Sequence, residues 1–173
     1  RKIRRGELAQ PDPNLQADMY ELADTSFEAM GLSWYELSNW ARSEQTRSRH
    51  NVAYWLNQDW WGFGAGAHSH LDGRRWWNVK HPKSYQERVM QAESPILEKE
   101  ILTPANIADE FIMLQIRRRE GIDHSRLSAV QLSTGEKFVN SGDLEEESWS
   151  KKKLVLSKNG RLIADRIVRE LVL

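Results

Sequence analysis

The chain has 173 residues, with 25 Lys and Arg against 25 Asp and Glu, 39% hydrophobic residues and no cysteine. That composition supports one ordinary domain, or one domain with part of another, and does not favour disorder. Zero net charge gives no overall electrostatic drive toward nucleic acid or an anionic membrane. Lack of thiols excludes disulfides and cysteine-held zinc or iron–sulfur clusters within the chain.

No apolar run approaches the roughly 18 residues of a transmembrane segment. Arg1 to Gln10 is basic and polar with no apolar stretch behind it, so no signal peptide is expected and the cytoplasm is the default compartment. The opening Arg1-Lys2-Ile3-Arg4-Arg5 in place of Met reads as a segment that starts inside a larger protein. Of eight tryptophans, seven fall between Trp34 and Trp77, which marks that stretch for aromatic packing.

In chain order, Pro11-Asp12-Pro13-Asn14 signals a helix start. Leu15, Met19, Leu22 and Ala29 recur at helical spacing, with Phe27 and Met30 widening the stripe and Gly31 as the stop. Leu32 to Ser38 reads as a strand, so helix, Gly and strand together resemble half of an α/β unit. Asn39 to Arg49 reads as a loop. From His50 to Val79, short aromatic segments are broken by glycines. Trp60 to Phe63 and Arg75 to Val79 are expected strands, with Asp72-Gly73 as a hairpin turn between them. Pro82 starts a helix to about Ala92.

Composition changes near Ile101. Thr103-Pro104 starts a helix with Ile107, Phe111 and Leu114 on one face, ending near Arg119-Glu120-Gly121. Two short helices are expected over Asp123 to Leu132 and Gly135 to Leu144, then a strand at Lys153 to Leu156. Ser157 caps a last helix with Ile163, Ile167 and Leu171 inward. Helices, a ribbon with a basic turn and a closing helix suggest a winged-helix-like module.

The densest chemical signal is Ser48-Arg49-His50-Asn51-Val52-Ala53-Tyr54-Trp55. Neutral imidazole is a good iron ligand. Tyr54 and Trp55 can cover a large apolar ring, and Arg47 and Arg49 can pair with its carboxylates. The plainer reading is a hydrogen-bonded histidine in an aromatic core. Gly62-Phe63-Gly64-Ala65-Gly66-Ala67-His68-Ser69 invites a dinucleotide reading, but neither its glycine spacing nor the His-rich turn after it fits one. Such glycines instead permit close backbone approach. His68 and His70 share a strand face and with His50 could form a three-His metal site, although no further ligand stands out. Trp60-Trp61 and Trp76-Trp77 each place one ring on each side of a strand. Lys151-Lys152-Lys153 could serve as a basic wing, yet Glu145-Glu146-Glu147 just before it would repel phosphate, so no nucleic-acid partner is expected.

Four motifs, in order and spacing, carry a resemblance. They are Tyr35-Glu36-Leu37-Ser38-Asn39-Trp40-Ala41; Ser48-Arg49-His50-Asn51 with Tyr54-Trp55; Gly62-x-Gly64-Ala65-Gly66-Ala67-His68-Ser69; and Arg75-x-x-Asn78. Together they resemble the C-terminal half of the HemW-type haem chaperones, in the oxygen-independent coproporphyrinogen III oxidase-like branch of the radical S-adenosylmethionine (SAM) proteins. Weaker similarity extends to Arg1–Leu8, Glu110–Gly121 and Leu156-Ser157-x-x-Gly160.

The resemblance implies an α/β (α+β) fragment. Residues 1–100 would be the end of an incomplete radical SAM barrel, and residues 101–173 a helical, winged-helix-like domain. It implies haem, SAM and a [4Fe-4S] cluster in the whole protein, and haem-acceptor proteins as partners. His50, Asn51, Tyr54, Trp55 and Arg49 would bind haem, with His50 on its iron, while Ala67 and His68 would lie near the SAM pocket. The cluster-binding cysteine motif of that family is absent here, so no catalytic residue is assigned and no SAM cleavage is expected from this chain alone. The enzyme alternative is coproporphyrinogen III oxidative decarboxylation, and a non-enzymatic alternative is an interaction module built on residues 101–173. Strand edges of an incomplete barrel also imply self-association.

Overall fold

The computed structural model describes residues 2–10 and 12–172. Pro11 of the expected helix start and Arg1 lie outside them, as does Leu173. The fold mixes helices with three small sheets, and every described strand pairing is antiparallel.

Helix α1 (Pro13–Ala29) begins where the Asp12 carboxylate accepts from the Asn14 backbone N–H at 2.9 Å. Strand β1 (Ser33–Glu36) pairs with β2 (Asn39–Ala41) across a turn that holds Ser38 at a φ of 66°. The expected strand is therefore shorter than Leu32–Ser38, and the expected loop opens with a strand. Helix α2 (Arg49–Trp55) follows in the same Trp-rich stretch, where the sequence showed only aromatic segments.

Strands β3 (His68–Leu71), β4 (Arg74–Asn78) and β5 (Ile96–Ile101) form one sheet in that order. Asp72-Gly73 turns the chain between β3 and β4 with both residues at positive φ, 48° and 69°, as a type I′ hairpin requires. Trp60–Phe63 is not a strand. Only Trp60 pairs there, exchanging backbone hydrogen bonds with His70 at 2.8 and 2.9 Å, because the glycines after it turn the chain away. Of the tryptophan pairs, Trp76 and Trp77 do alternate across β4: Trp76 meets Trp61 edge-on at 5.0 Å, and Trp77 stacks on His68 at 5.6 Å.

Helix α3 (Pro82–Met90) leads to β5, and α4 (Pro104–Gln115) starts at a Thr103–Asn106 capping box. The two short helices expected after it are one, α5 (Ala129–Asn140), preceded by a 3₁₀ turn at His124–Arg126. Gly135 sits inside α5 because the Trp149 ring would lie 2.7 Å from a Cβ there. The remaining elements are β6 (Ile122–Asp123), α6 (Glu146–Ser150), β7 (Lys153–Leu154), α7 (Lys158–Leu162) and α8 (Ala164–Val172). The β6–β7 ribbon joins strands far apart in sequence, so its Lys151-Lys152-Lys153 approach is not a hairpin tip. Lys151 is paired with Glu147 at 2.5 Å and Lys153 with Asp123 at 3.8 Å.

The principal core lies in the C-terminal part. Ile112 and Ile116 of the α4 segment pack with Ile122, Phe138, Leu154, Leu156, Ile167 and Leu171. Ile167 and Leu171 thus face inward as their spacing predicts. The α4 stripe is rotated from the expected one: Ile112, Gln115 and Ile116 are buried, while Ile107 is exposed and Phe111 half-buried along a cleft. Leu15, Met19 and Leu22 of α1 are likewise exposed. What seats α1 is a polar pairing beside the Tyr20 and Phe27 rings, which lie 5.6 and 5.0 Å from the Trp40 ring. Asp24, 2% exposed, takes a bidentate pair from Arg161 of α7 at 3.1 and 3.0 Å and the Trp40 indole N–H at 2.7 Å. Lys158 adds an ion pair at 3.2 Å, and Arg161 lies over the Trp34 and Tyr20 rings. Burial alone would raise the Asp24 pKa; the hydrogen bonds from Arg161, Trp40 and Lys158 outweigh it and hold the carboxyl below its usual range.

Candidate functional site

Helix α2 is only seven residues long, too short to persist unaided, and its neighbours fix it at both ends. At its start, the Ser48 hydroxyl accepts from the Asn51 N–H at 3.3 Å. The Ser48 N–H donates in turn to the Tyr35 hydroxyl of β1 at 3.2 Å. At its end, the buried Gln115 amide of α4 donates to the Trp55 carbonyl at 2.7 Å. Two motifs that are separate in sequence, the one from Tyr35 and the one from Ser48, are therefore one structural unit.

The helix presents two stripes. His50 and Tyr54, four residues apart, lie exposed with their rings edge-on at 4.8 Å. An aromatic series continues from Tyr54 to Trp60 at 5.2 Å and on to His70 at 6.5 Å. Arg49 is exposed beside His50. The second stripe, Asn51 and Trp55, is half-buried and turns toward β1 and β2. With Glu36, Asn39 and Tyr54 it lines a cavity of about 180 Å³.

Glu36 is the residue that sequence reasoning passed over. It is 1% exposed, and neither carboxylate oxygen has a hydrogen-bond partner. Burial raises its pKa; Trp55, Asn51 and Asn39 lie near enough to oppose that rise without closing to hydrogen-bond geometry. A charged residue ending the buried run Trp34-Tyr35 was the available signal.

Other expected site residues sit elsewhere. Arg47 is not free for a ligand: it pairs with Glu44 at 2.5 Å and Glu120 at 2.6 Å and lies over the Tyr35 ring. Burial would raise the Glu120 pKa, but Arg47 and Arg118 hold it below its ordinary value. Ala67 is half-buried in the Gly-rich stretch, and exposed His68 begins β3 against Trp77. That stretch is strapped to β4 by the Asn78 amide, which donates to the Gly64 carbonyl at 2.9 Å. Gly62 is obligatory there, since a Cβ would sit 1.9 Å from the His68 carbonyl oxygen. Arg75 forms a bidentate pair with Glu110 of α4 at 2.5 Å, so the fourth motif serves the scaffold. His70 is buried, with Asp59 4.0 Å from its Nδ1. Among the described residues, no group of three or more His, Asp or Glu is arranged to hold a metal ion, so His50, His68 and His70 do not form a three-His site.

Known proteins resemble this chain in sequence and in fold. The heme chaperone HemW of Mycobacterium tuberculosis is 41% identical over 172 residues, covering 99% of this chain and 43% of that protein. The chain belongs to the HemW-type sequences. HemW of Bacillus subtilis is 32% identical over 126 residues, covering 73% of this chain and 33% of that protein. The chain thus spans less than half the length of the curated relatives it matches. Among solved structures, coproporphyrinogen III oxidase (HemN) of Escherichia coli, described as a radical SAM enzyme, aligns with a TM-score of 0.69. That match has 16% identity and covers 93% of this chain and 42% of that one, which establishes a shared fold. No family model matches the chain. No described helix is long and apolar enough to cross a membrane.

Proposed function

We propose that this chain is the haem-holding part of a HemW-type chaperone, which takes up haem at α2 and passes it to acceptor proteins. The observation that carries the reading is the exposed His50–Tyr54 stripe on a helix fixed at both ends. His50 stands exposed on that helix, which leaves its imidazole within reach of an iron. The neighbouring cavity, about 180 Å³, is below the roughly 300–1,000 Å³ of pockets that enclose a ligand of drug size. The residues therefore fit a ring laid on an open surface, with His50 on iron, Tyr54 against the ring and Arg49 toward a propionate. Asn51 and Trp55 contribute by seating the helix.

In the whole protein, Ala67 and His68 would border the SAM pocket, and the [4Fe-4S] cluster would be held by cysteines that these 173 residues do not contain. Bound there, SAM and the cluster would supply radical chemistry. The decarboxylase alternative rests on the HemN likeness, which speaks to fold alone.

The direct test is a haem titration of the 173-residue chain followed in the Soret region. A saturable shift at about one haem per chain supports the reading. A spectrum that stays that of free haem contradicts it.

A further inference from the structure

We propose that the cavity bounded by Glu36, Asn39, Asn51, Tyr54 and Trp55 is a second binding site, which takes a compact organic cation bearing N–H donors with the Glu36 carboxylate as its counter-charge. Tyr54 borders both this cavity and the face assigned to haem, but the proposed iron donor His50 and its neighbour Arg49 line none of the cavity.

Burial makes a demand on Glu36 that Trp55, Asn51 and Asn39 meet only in part. A carboxylate removed from water with no partner carries a large desolvation cost, and buried polar groups in folded proteins are nearly always satisfied. Both oxygens of Glu36 are nevertheless unpaired at 1% exposure. No Lys or Arg lines the cavity to supply the missing charge. The nearby cations are committed elsewhere: Arg47 to Glu44 and Glu120, Arg118 to Gln115 and Glu120.

The walls suit a cation and limit its size. Side-chain oxygens of Asn39 and Asn51 can accept further N–H bonds beside the carboxylate. Tyr54 and Trp55 offer aromatic faces, which attract cations. Trp55 already has one cation of the chain near its ring, the Arg117 guanidinium 6.0 Å from the centroid, and Arg117 is itself paired with Asp165. A volume of about 180 Å³ equals some six water shares of about 30 Å³ each. That is room for an alkylammonium or an alkylguanidinium group. The same group could arrive as a free small molecule or as an arginine side chain, and both present the same donors.

The test is an NMR titration of the ¹⁵N-labelled 173-residue chain, with the Trp55 indole N–H assigned through Trp55→Phe. Methylguanidinium chloride and methylammonium chloride are the free probes, and a blocked arginine dipeptide is the side-chain probe. Sodium chloride at matched strength and neutral acetamide are the controls. The expected result is a saturable shift of the Trp55 indole with at least one cation and none with either control. Saturation by the free probes alone identifies a small-molecule site, and saturation by the dipeptide alone identifies a peptide site. Glu36→Gln should weaken the binding at least tenfold while leaving the remaining spectrum in place. Should Glu36→Gln unfold the chain, Glu36→Asp keeps the charge on a shorter arm and should retain saturable but weaker binding. No saturable shift in the native chain, or equal affinity in Glu36→Gln, overturns the proposal.

Discussion

Arg161→Met isolates what joins α1 to the C-terminal part of the molecule. The substitution removes two hydrogen bonds, at 3.1 and 3.0 Å, from a carboxylate that is 2% exposed. Deleting one partner of a buried ion pair typically costs about 3–5 kcal/mol, because the other charge stays buried. Here Asp24 keeps the Trp40 indole at 2.7 Å and Lys158 at 3.2 Å, which places the expected loss near the lower end, about 3 kcal/mol. Methionine retains much of the apolar cover over Trp34 and Tyr20. Replacing both partners, as in Asp24→Leu with Arg161→Met, should recover most of the loss, since it leaves no stranded charge. Urea unfolding followed by circular dichroism reads these differences from the midpoints at constant slope. The pH dependence comes from the lowered Asp24 pKa. Stability from this group is present above the unfolded carboxylate value, near 3.9, and is lost as pH falls through the lower folded value. The gap between native and Arg161→Met chains should therefore be full at pH 7 and narrow below about pH 4. A loss under about 1 kcal/mol, or a double variant no better than the single one, would mean that the Asp24–Arg161 pair does not seat α1.

Three other expectations rest on particular residues. Gly62→Ala forces a Cβ to within 1.9 Å of the His68 carbonyl oxygen, so it should destabilise the chain by at least about 1–3 kcal/mol in the same unfolding assay. Strand β5 is exposed along its length and edges its sheet, so light scattering should show the apparent mass rising with concentration; a monomer at every concentration counts against this. After reconstitution with iron and sulfide, the chain should release no 5′-deoxyadenosine from SAM, because it has no cysteine to hold a cluster.

Local chemistry in the sequence carried much of the fold. Asp12, Thr103 and Ser157 each cap a helix as their residue type suggests, and Asp72-Gly73 makes its hairpin. The failures share a cause: they depend on partners distant in sequence. Helix α2 is seven residues, three polar or charged (Arg49, His50, Asn51), two aromatic (Tyr54, Trp55) and two small or branched apolar (Val52, Ala53), with no amphipathic period; Tyr35 and Gln115 hold its ends. Strand β5 reads Ile-Leu-Glu-Lys-Glu-Ile and is fully exposed, so its pairing with β4 rather than burial defines it. Of the apolar stripe that periodicity located on α1, Phe27 packs on Trp40, while Leu15, Met19 and Leu22 are exposed. For the candidate site, the grouping of Arg49, His50 and Tyr54 in one motif was legible, and the structure sets all three exposed on α2. Glu36 was legible only as a charged residue ending the run Trp34-Tyr35; that it is buried beneath α2 depends on a helix later in the chain.

His50 is proposed as the iron donor, and haem titrations of His50→Ala and His68→Ala in the whole protein, followed by the Soret band, decide it. His50→Ala should change both the band position and the affinity, because an axial ligand is lost. His68→Ala, altered at a ring stacked on Trp77, should leave both unchanged. An unchanged band and affinity in His50→Ala would contradict the account.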